Sequence, residues 1–353
     1  MTVDRFSIHA LRAGCLSLAM LTAGGVAADP VEDFYKGKTI TFVIGYPTGA
    51  GYDVYARLLG NHMTRYIPGQ PRIVPQNMPG AGSLTAMNHV YNVSPKDGTV
   101  FGAVNRSLPM GPLLEADVTK RERLRFDALK LNWIGSIEKA VSLGICKDSS
   151  GIKSFDQFRE KEVLQAASAP SSDSVIFPTV FNRMLGTKIK IISGYEGTSG
   201  NTLALERGEA DCYLGTSYSS LAALKPDWLQ PNDPYMNVVI QIALEKHPKL
   251  PHVPVVIEYA SGDELAALEL MLAPQSMGRP YFTTPGVPAD RVAALRKAFD
   301  ATMKDARFLA DAEKIGAEVD PMTGAEVASL LAKIYKTDKN AVSMLQRAMP
   351  RVD

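Results

Sequence analysis

The chain has 353 residues, of which 46% are hydrophobic and 21% charged, and its net charge at pH 7 is +1. This length is sufficient for two domains with cores of their own. The balanced charge excludes the dense positive surface of a nucleic-acid-binding or membrane-surface protein, so we expect no nucleic-acid partner.

Residues 1–28 have the pattern of a secretory signal peptide. Arg5 and Arg12 precede an apolar stretch at 13–23, and small residues at 26–28 provide a cleavage site. The apolar stretch is too short for a comfortable membrane span. We therefore expect a cleaved signal and a periplasmic mature protein.

Two cysteines, Cys146 and Cys212, remain after the signal, each in an apolar, strand-like run. In an oxidising compartment they could pair, but sequence does not fix the geometry that a disulfide needs. We favour buried free thiols, with a disulfide as the alternative.

The first unit of the mature chain is a strand, a glycine-rich turn and a helix. Thr39–Ile44 is a β-branched and aromatic run, and residues 54–66 have the apolar spacing of an amphipathic helix. Asp53, at the junction, is the expected N-cap. A strand that leads through such a turn to a helix N-terminus favours an anion, and we expect a carboxylate.

A nucleotide-binding turn is the rival interpretation. If Gly49 and Gly51 are the first two glycines of G-x-G-x-x-G, the third position is occupied by Val54. A phosphate loop requires a lysine after its last glycine, and none follows Gly51. Both nucleotide motifs are therefore incomplete.

The second unit repeats the first. A strand at 72–75 is followed by a turn at 77–83 and a helix at 84–90, and a third strand at 99–104 ends beside Arg106 and Ser107. Turns at the carboxyl ends of neighbouring strands face one crevice. Arg106 could clamp a carboxylate there, or lie solvated on the surface.

The apolar run at 131–147 is too long for one strand, so we expect the chain to cross to another sheet near residues 139–141. The pattern then restarts. Polar turns at 168–174, 194–200 and 215–217 each follow a predicted strand, and helices are predicted at 175–185 and 201–207.

After one more strand of the second lobe, the chain is expected to return to the first lobe. We predict strands at 237–244 and 268–274, and then amphipathic helices at 291–304, 306–315 and 324–335, the first with Asp290 as N-cap. These helices are expected to pack on the first lobe.

Catalytic and metal motifs are incomplete. The histidines have no H-E-x-x-H spacing, and the string from Gly215 to Ser219 lacks the last glycine of G-x-S-x-G. Asp173 and Glu196 could in principle form an acid–base pair, but polar turns commonly carry such residues. We expect no catalytic residue, metal or cofactor.

Six motifs in chain order resemble the Bug family, the extracytoplasmic solute receptors of tripartite tricarboxylate transporters. The matching segments are Tyr46-Pro-Thr-Gly-Ala-Gly-Tyr-Asp53, Asn77-Met-Pro-Gly-Ala-Gly-Ser83, Pro95-Lys-Asp-Gly-Thr99, Tyr195-Glu-Gly197, Leu205-Glu-Arg-Gly-Glu-Ala-Asp211 and Leu250-Pro-His-Val-Pro254. Thr48 and Ala50 depart from the family pattern, and Glu196 stands where the family often has a cation.

The resemblance implies an α/β fold: a two-lobed periplasmic binding protein of type II, a Venus flytrap, in which each lobe is a mixed sheet flanked by helices. The expected boundaries are 1–28 signal peptide, 29–140 first lobe, 141–248 second lobe and 249–353 first lobe again. The implied function is to capture a small organic carboxylate, a mono- or dicarboxylate that could be aromatic, and deliver it to the permease subunits as a monomer. A receptor subunit of a signalling system and a secreted enzyme acting on small acids are the alternatives.

The expected ligand contacts lie on turns of both lobes. In the first lobe they are Tyr46, Pro47, Thr48, Gly49, Ala50, Gly51, Asp53, Gly80, Ala81, Gly82, Ser83, Arg106 and Ser107. In the second lobe they are Ser168, Ser171, Ser172, Asp173, Tyr195, Gly197, Ser199, Thr216 and Ser217.

Overall fold

Strands and helices alternate through most of the chain in a computed structural model, which describes residues 1–2, 29–115, 117–168, 172–195, 197–230 and 233–350. The predicted signal peptide, apart from its first two residues, and also Ser171 and Glu196 lie outside the described residues.

The strands of the described chain are β1 Thr39–Ile44, β2 Arg72–Asn77, β3 Val100–Ala103, β4 Asn132–Ser136, β5 Ser142–Lys147, β6 Val163–Ala167, β7 Ile189–Ser193, β8 Cys212–Ser217, β9 Met236–Ile242, β10 Pro280–Thr283 and β11 Met322–Thr323. The helices are α1 Pro30–Tyr35, α2 Gly51–Met63, α3 Leu84–Asn92, α4 Gly111–Leu114, α5 Val118–Glu122, α6 Gln157–Glu160, α7 Asp173–Met184, α8 Gly197–Glu206, α9 Tyr218–Leu224, α10 Gly262–Ser276, α11 Ala289–Thr302, α12 Ala306–Lys314, α13 Gly324–Ile334 and α14 Lys339–Ala348.

These strands form two mixed sheets, each the centre of a lobe. The first has the order β11-β4-β10-β3-β1-β2 and the second the order β7-β6-β8-β5-β9. β1 is parallel to both β2 and β3, so the turns after these three strands meet at one edge. In the second sheet β6 is parallel to β7 and β8, which brings the polar turns of that lobe together. The predicted fold class is confirmed.

Two segments connect the lobes and pair with each other. Residues 137–141 lead from β4 to β5, and residues 277–279 lead from α10 into β10. The amide of Ala140 donates to the carbonyl of Gln275 at 2.8 Å, and that of Gly278 donates to the carbonyl of Glu138 at 3.0 Å. We call these two segments the hinge.

One predicted strand is wrong. Residues 268–274 lie inside α10, where Leu268, Leu270 and Leu272 are almost fully buried. A short, continuously apolar run does not distinguish a buried strand from a helix that is buried all round. The 15-residue length of α10 decides in favour of the helix.

The predicted packing of the C-terminal helices agrees with the structure. α11 contacts β4 and α2, α12 contacts α2, and α13 contacts β4, all in the first lobe. The predicted N-cap of α11 is wrong, because the cap position is held by Pro288 and Asp290 is the second helical residue.

The cysteine prediction is also wrong. Cys146 and Cys212 are directly opposite on antiparallel β5 and β8, both fully buried, and they form a disulfide. The pairing register, which sequence does not give, places the two side chains next to each other.

The last helix, α14, touches both lobes. Arg183 of α7 donates to the carbonyl of Met349 at 2.6 Å and to that of Ala348 at 3.1 Å. Gln346 donates to the carbonyl of Leu113 in α4, at 3.3 Å. α14 therefore makes a third connection between the lobes, beside the hinge.

Candidate functional site

The first glycine turn leads into α2 without a side-chain cap. Ala50 holds the cap position and Asp53 is the third helical residue, so the predicted N-cap role of Asp53 is wrong. Its carboxylate instead accepts from the amide of Gly49, at 2.8 Å. Gly49 has φ +84°, which favours glycine. Because no side chain caps α2, its first-turn amides can bind an anion.

A buried carboxylate connects the first two turns. Asn77, at the end of β2, donates to Asp53 and to the carbonyl of Tyr46, both at 2.8 Å, and its oxygen accepts from Arg57 at 2.9 Å. Thr48 donates to the same oxygen at 3.1 Å. Burial acts to raise the pKa of Asp53, but hydrogen bonds from Arg57, Gly49 and Asn77 hold it below the ordinary value.

The second glycine turn is left-handed over four successive residues. Gly80, Ala81, Gly82 and Ser83 have φ of +137°, +45°, +61° and +77°. Positive φ is costly at Ala81 and Ser83, and such strain often marks a functional site. The hydroxyl of Ser83 donates to the carbonyl of Gly45 at 3.2 Å, which fixes the turn against the end of β1.

Two stacked tyrosines lie between the first turn and Arg106. Tyr46 and Tyr52 have parallel rings with centroids 4.3 Å apart. Asn105 donates to the hydroxyl of Tyr46 at 2.8 Å. The hydroxyl of Tyr52 accepts from the amide of Arg106 at 3.0 Å and donates to the carbonyl of Gly278, at 3.1 Å, so it connects the Arg106 loop to the hinge.

Arg106 reaches across to the other lobe. Its Nη2 lies 2.9 Å from Oδ2 of Asp173, the first residue of α7. The two side chains are only 21% and 35% exposed. Burial acts to lower the pKa of Arg106, but the carboxylate of Asp173 raises it, so the guanidinium stays charged. The structure thus brings one predicted residue of each lobe into direct contact.

The polar turns of the second lobe are held by one another. The hydroxyl of Ser174 accepts from the amide of Ser168 at 3.0 Å and lies 2.8 Å from the hydroxyl of Ser172. Asn201, fully buried in α8, donates to the hydroxyl of Ser168 at 2.8 Å and to the carbonyl of Gly197 at 2.6 Å. Its oxygen accepts from none of the described residues.

Two predicted residues of this lobe are used elsewhere. The hydroxyl of Ser217 caps α9 by accepting from the amide of Ser220 at 3.2 Å. The ring of Tyr195 packs on the core of the second lobe, and burial together with a hydrogen bond to Glu209 raises its pKa. Neither side chain shows a contact with Arg106 or Asp173 among the described residues.

The other predicted residues lie on the same turns. Pro47, Gly51, Ser107, Gly197 and Ser199 are exposed, Ala50 is half-buried and Thr216 is buried. Thr216 lies near Tyr213, a buried residue that sequence reasoning missed. Burial raises the pKa of Tyr213, while hydrogen bonds from Thr198, Thr216 and Asn201 oppose the shift.

The sequence interpretation also missed a charged pair in the hinge. Nε of Arg279 lies 3.1 Å from Oε1 of Glu138, an ion pair between the two connecting segments. The guanidinium lies 4.2 Å from the ring centroid of Tyr55 and 4.8 Å from that of Tyr52. The signal available was a charged residue within each of two largely apolar runs, Glu138 beside Lys139 in one and Arg279 alone in the other.

Glu138 is only 4% exposed, and its Oε2 has no hydrogen-bond partner among the described residues. Burial raises the pKa of Glu138, while Arg279 and the hydroxyl of Tyr55 oppose the shift. A buried charge pair of this kind favours one arrangement of the hinge, since separating the two groups leaves each charge unpaired.

A cavity of about 670 Å³ lies beside the hinge and contains none of the predicted ligand contacts. It is lined by residues of 139–141, 243–249, 275–276 and 318–322 and by Glu326 and Leu330 of α13. Nε2 of His247 and Oε1 of Glu318, 3.5 Å apart, join the lobes there.

The described part of the chain can also be assessed for metal-binding clusters and membrane-spanning helices. No cluster of three or more His, Cys, Asp or Glu side chains is placed there to hold a metal ion. Nor is any helix of that part long and apolar enough to cross a bilayer.

Comparison with solved structures gives the fold class. A TctC solute-binding protein from Polaromonas superposes with a TM-score of 0.69 at 14% identity, over 89% of this chain and 99% of that protein. The periplasmic binding protein BugD gives 0.58 at 17% identity, covering 89% and 98%. MatC from Rhodopseudomonas palustris, solved with malate, gives 0.57 at 19% identity, covering 86% and 99%.

No protein-family model matches the sequence, and no curated protein matches it. Identities below 20% show a shared fold and leave the ligand of this chain open. The fold is that of the two-lobed solute-binding proteins.

Proposed function

We propose that this protein is a periplasmic receptor that captures a small organic carboxylate and delivers it to a membrane permease of the tripartite tricarboxylate type. The observation that carries the proposal is the contact of Arg106 with Asp173 across the cleft, directly beside the two glycine turns. In this contact the guanidinium of Arg106, from the first lobe, already binds one carboxylate, that of Asp173 from the second lobe.

Three features of the first lobe supply donors for such a ligand. α2 begins without a side-chain cap, residues 80–82 of the left-handed turn are exposed, and Arg106 can present a planar pair of N–H groups. MatC, of the same fold, is described with malate bound, which supports a carboxylate here.

The mechanism is differential binding to two arrangements of the lobes. A ligand that contacts both lobes stabilises the closed form by as much as its contacts favour that form. The permease then recognises the closed surface. We also propose that the protein binds its ligand without catalysing a reaction and that the N-terminal signal directs its export. The proposed boundaries between the lobes lie at residues 140 and 248.

A thermal-shift screen of the mature chain, from Asp29, tests the proposal. Ligands that bind only the folded protein raise its melting temperature, so carboxylates should do so and neutral sugars or amides of similar size should not. Arg106→Ala should weaken binding of the best acid about 10- to 100-fold by calorimetry, since it removes a charged hydrogen-bond donor.

Arg65→Ala is the matched control, because Arg65 also lies in the first lobe and pairs with an aspartate, Asp305, with no described contact to the glycine turns or to Arg106. Stabilisation by neutral compounds, or by no acid at all, would contradict the proposed function. Equal affinity of wild type and Arg106→Ala would remove Arg106 from the site.

A further inference from the structure

Asp173 is the feature of the cleft that a simple carboxylate receptor does not explain. It lies at the start of α7 with its carboxylate toward the first lobe, and its only ion pair among the described residues is with Arg106. The same guanidinium is the expected clamp for the ligand carboxylate. Ligand and Asp173 therefore compete for one cation.

Displacing Asp173 leaves its charge in an unfavourable place. Its side chain is 35% exposed, so part of its hydration is already lost. A ligand carboxylate on Arg106 would lie within a few ångströms of the Asp173 carboxylate, and like charges at that distance repel. A ligand with only carboxylates would thus exchange a favourable ion pair for a repulsive contact.

Among the described residues, Arg106 is the one cationic side chain that pairs with Asp173, so only the first-turn amides of α7 favour this charge once the guanidinium binds a ligand. The hydroxyl of Ser174 accepts from the amide of Ser168 and lies 2.8 Å from the hydroxyl of Ser172, so these groups already have partners. A second acceptor, the oxygen of Asn201, is fully buried in α8 and has no donor among the described residues. Asp173, whose side chain is 35% exposed, is therefore the acceptor on this side of the cleft that needs a donor once a ligand takes Arg106.

We propose that the ligand is amphoteric: a small acid whose carboxylate binds Arg106 and whose ammonium group, or an equally strong donor, binds Asp173. This inference rests on the proposed function and narrows its ligand class. The ligand replaces one ion pair between the lobes by two, one to each lobe, so neither Arg106 nor Asp173 is left unpaired. Asp173 is then the residue that selects such acids against plain ones.

Calorimetry on two pairs of acids with matched skeletons tests the proposal. The pairs are γ-aminobutyrate with butyrate and glutamate with glutarate, each titrated into wild type, Asp173→Asn and Asp156→Asn. Asp156 is a control from the same lobe. It also accepts from an arginine, Arg159 at 2.7 Å, and it has no described contact with Arg106.

In wild type we expect the amino member of at least one pair to bind about tenfold tighter or more than its plain partner. Asp173→Asn should weaken the amino acid about tenfold and strengthen the plain acid, because the amide removes both the attraction and the repulsion. Asp156→Asn should change neither affinity, and melting of the ligand-free variants shows that all three proteins are folded.

Plain acids that bind wild type as tightly as their amino partners, with no change in Asp173→Asn, would overturn this inference and leave the carboxylate receptor standing. If none of the acids binds and the wider acid screen is also negative, the proposed function fails, and this inference fails with it.

Discussion

Removing the disulfide should destabilise the second lobe more than the first. Cys146–Cys212 closes a segment of 66 residues between neighbouring strands of one sheet. The chain-entropy relation for a loop of this length gives about 4 kcal/mol of stabilisation at 25 °C. Since domains are stable by only about 5–15 kcal/mol, the double variant Cys146→Ala/Cys212→Ala should lose a large part of the stability of its lobe.

The two tryptophans allow each lobe to be followed separately. Trp133 lies in β4 of the first lobe and Trp228 follows α9 in the second. Urea unfolding monitored by fluorescence in a Trp133→Phe background reports the second lobe, and the same background without the cysteine changes is the control. The reasoning is refuted if both proteins unfold at the same urea concentration, or if unreduced wild type shows two reactive thiols in denaturant.

Two further variants test the first lobe. Gly80→Val should abolish ligand binding while the protein stays folded, because Gly80 has φ +137° and an added Cβ would lie 2.7 Å from Oγ1 of Thr85. The control is Gly186→Val, at φ +69° with no neighbouring atom close to the added Cβ: it carries a similar backbone penalty away from the cleft and should bind the ligand normally. If Gly80→Val binds the ligand with wild-type affinity, the turn is not part of the site. Tyr52→Phe should cost about 1–2 kcal/mol of stability, since the amide of Arg106 and the carbonyl of Gly278 lose their partner. Burial raises the pKa of Tyr52 to about 12 from 10.0, so its contribution is present below pH 10.0 and is lost as the pH rises toward 12. The difference in unfolding free energy between wild type and Tyr52→Phe should therefore shrink over that range, and a constant difference in urea unfolding series would contradict it.

Sequence patterns that span only a few residues predicted the strand–turn–helix units of the fold. The β-branched run of β1, the glycines after it and the periodicity of α2 each act within a few residues, and the strand–turn–helix unit follows from them. The failures at Asp53 and Asp290 are shifts of two or three positions at helix starts, where several residues compete for the cap.

The missed features depend on contacts between distant segments. Arg279 pairs with Glu138 because two connecting segments run side by side, and Arg106 meets Asp173 because the lobes face each other. The type and approximate location of each of these residues can be read from the sequence, but its partner in the fold cannot. The disulfide is of the same kind, since it follows from the register of β5 and β8.

The double attachment of α14 restricts how the lobes can separate. Two hinge segments alone would allow both bending and twisting, because each is a single extended strand of chain. A helix bound to Arg183 on one side and to α4 on the other adds a third support beside the hinge. With three supports, the easiest motion is rotation about a line that passes close to all of them. The cleft should thus open by hinge rotation about one axis. Every ligand would then enter past the same outer edge of the glycine turns.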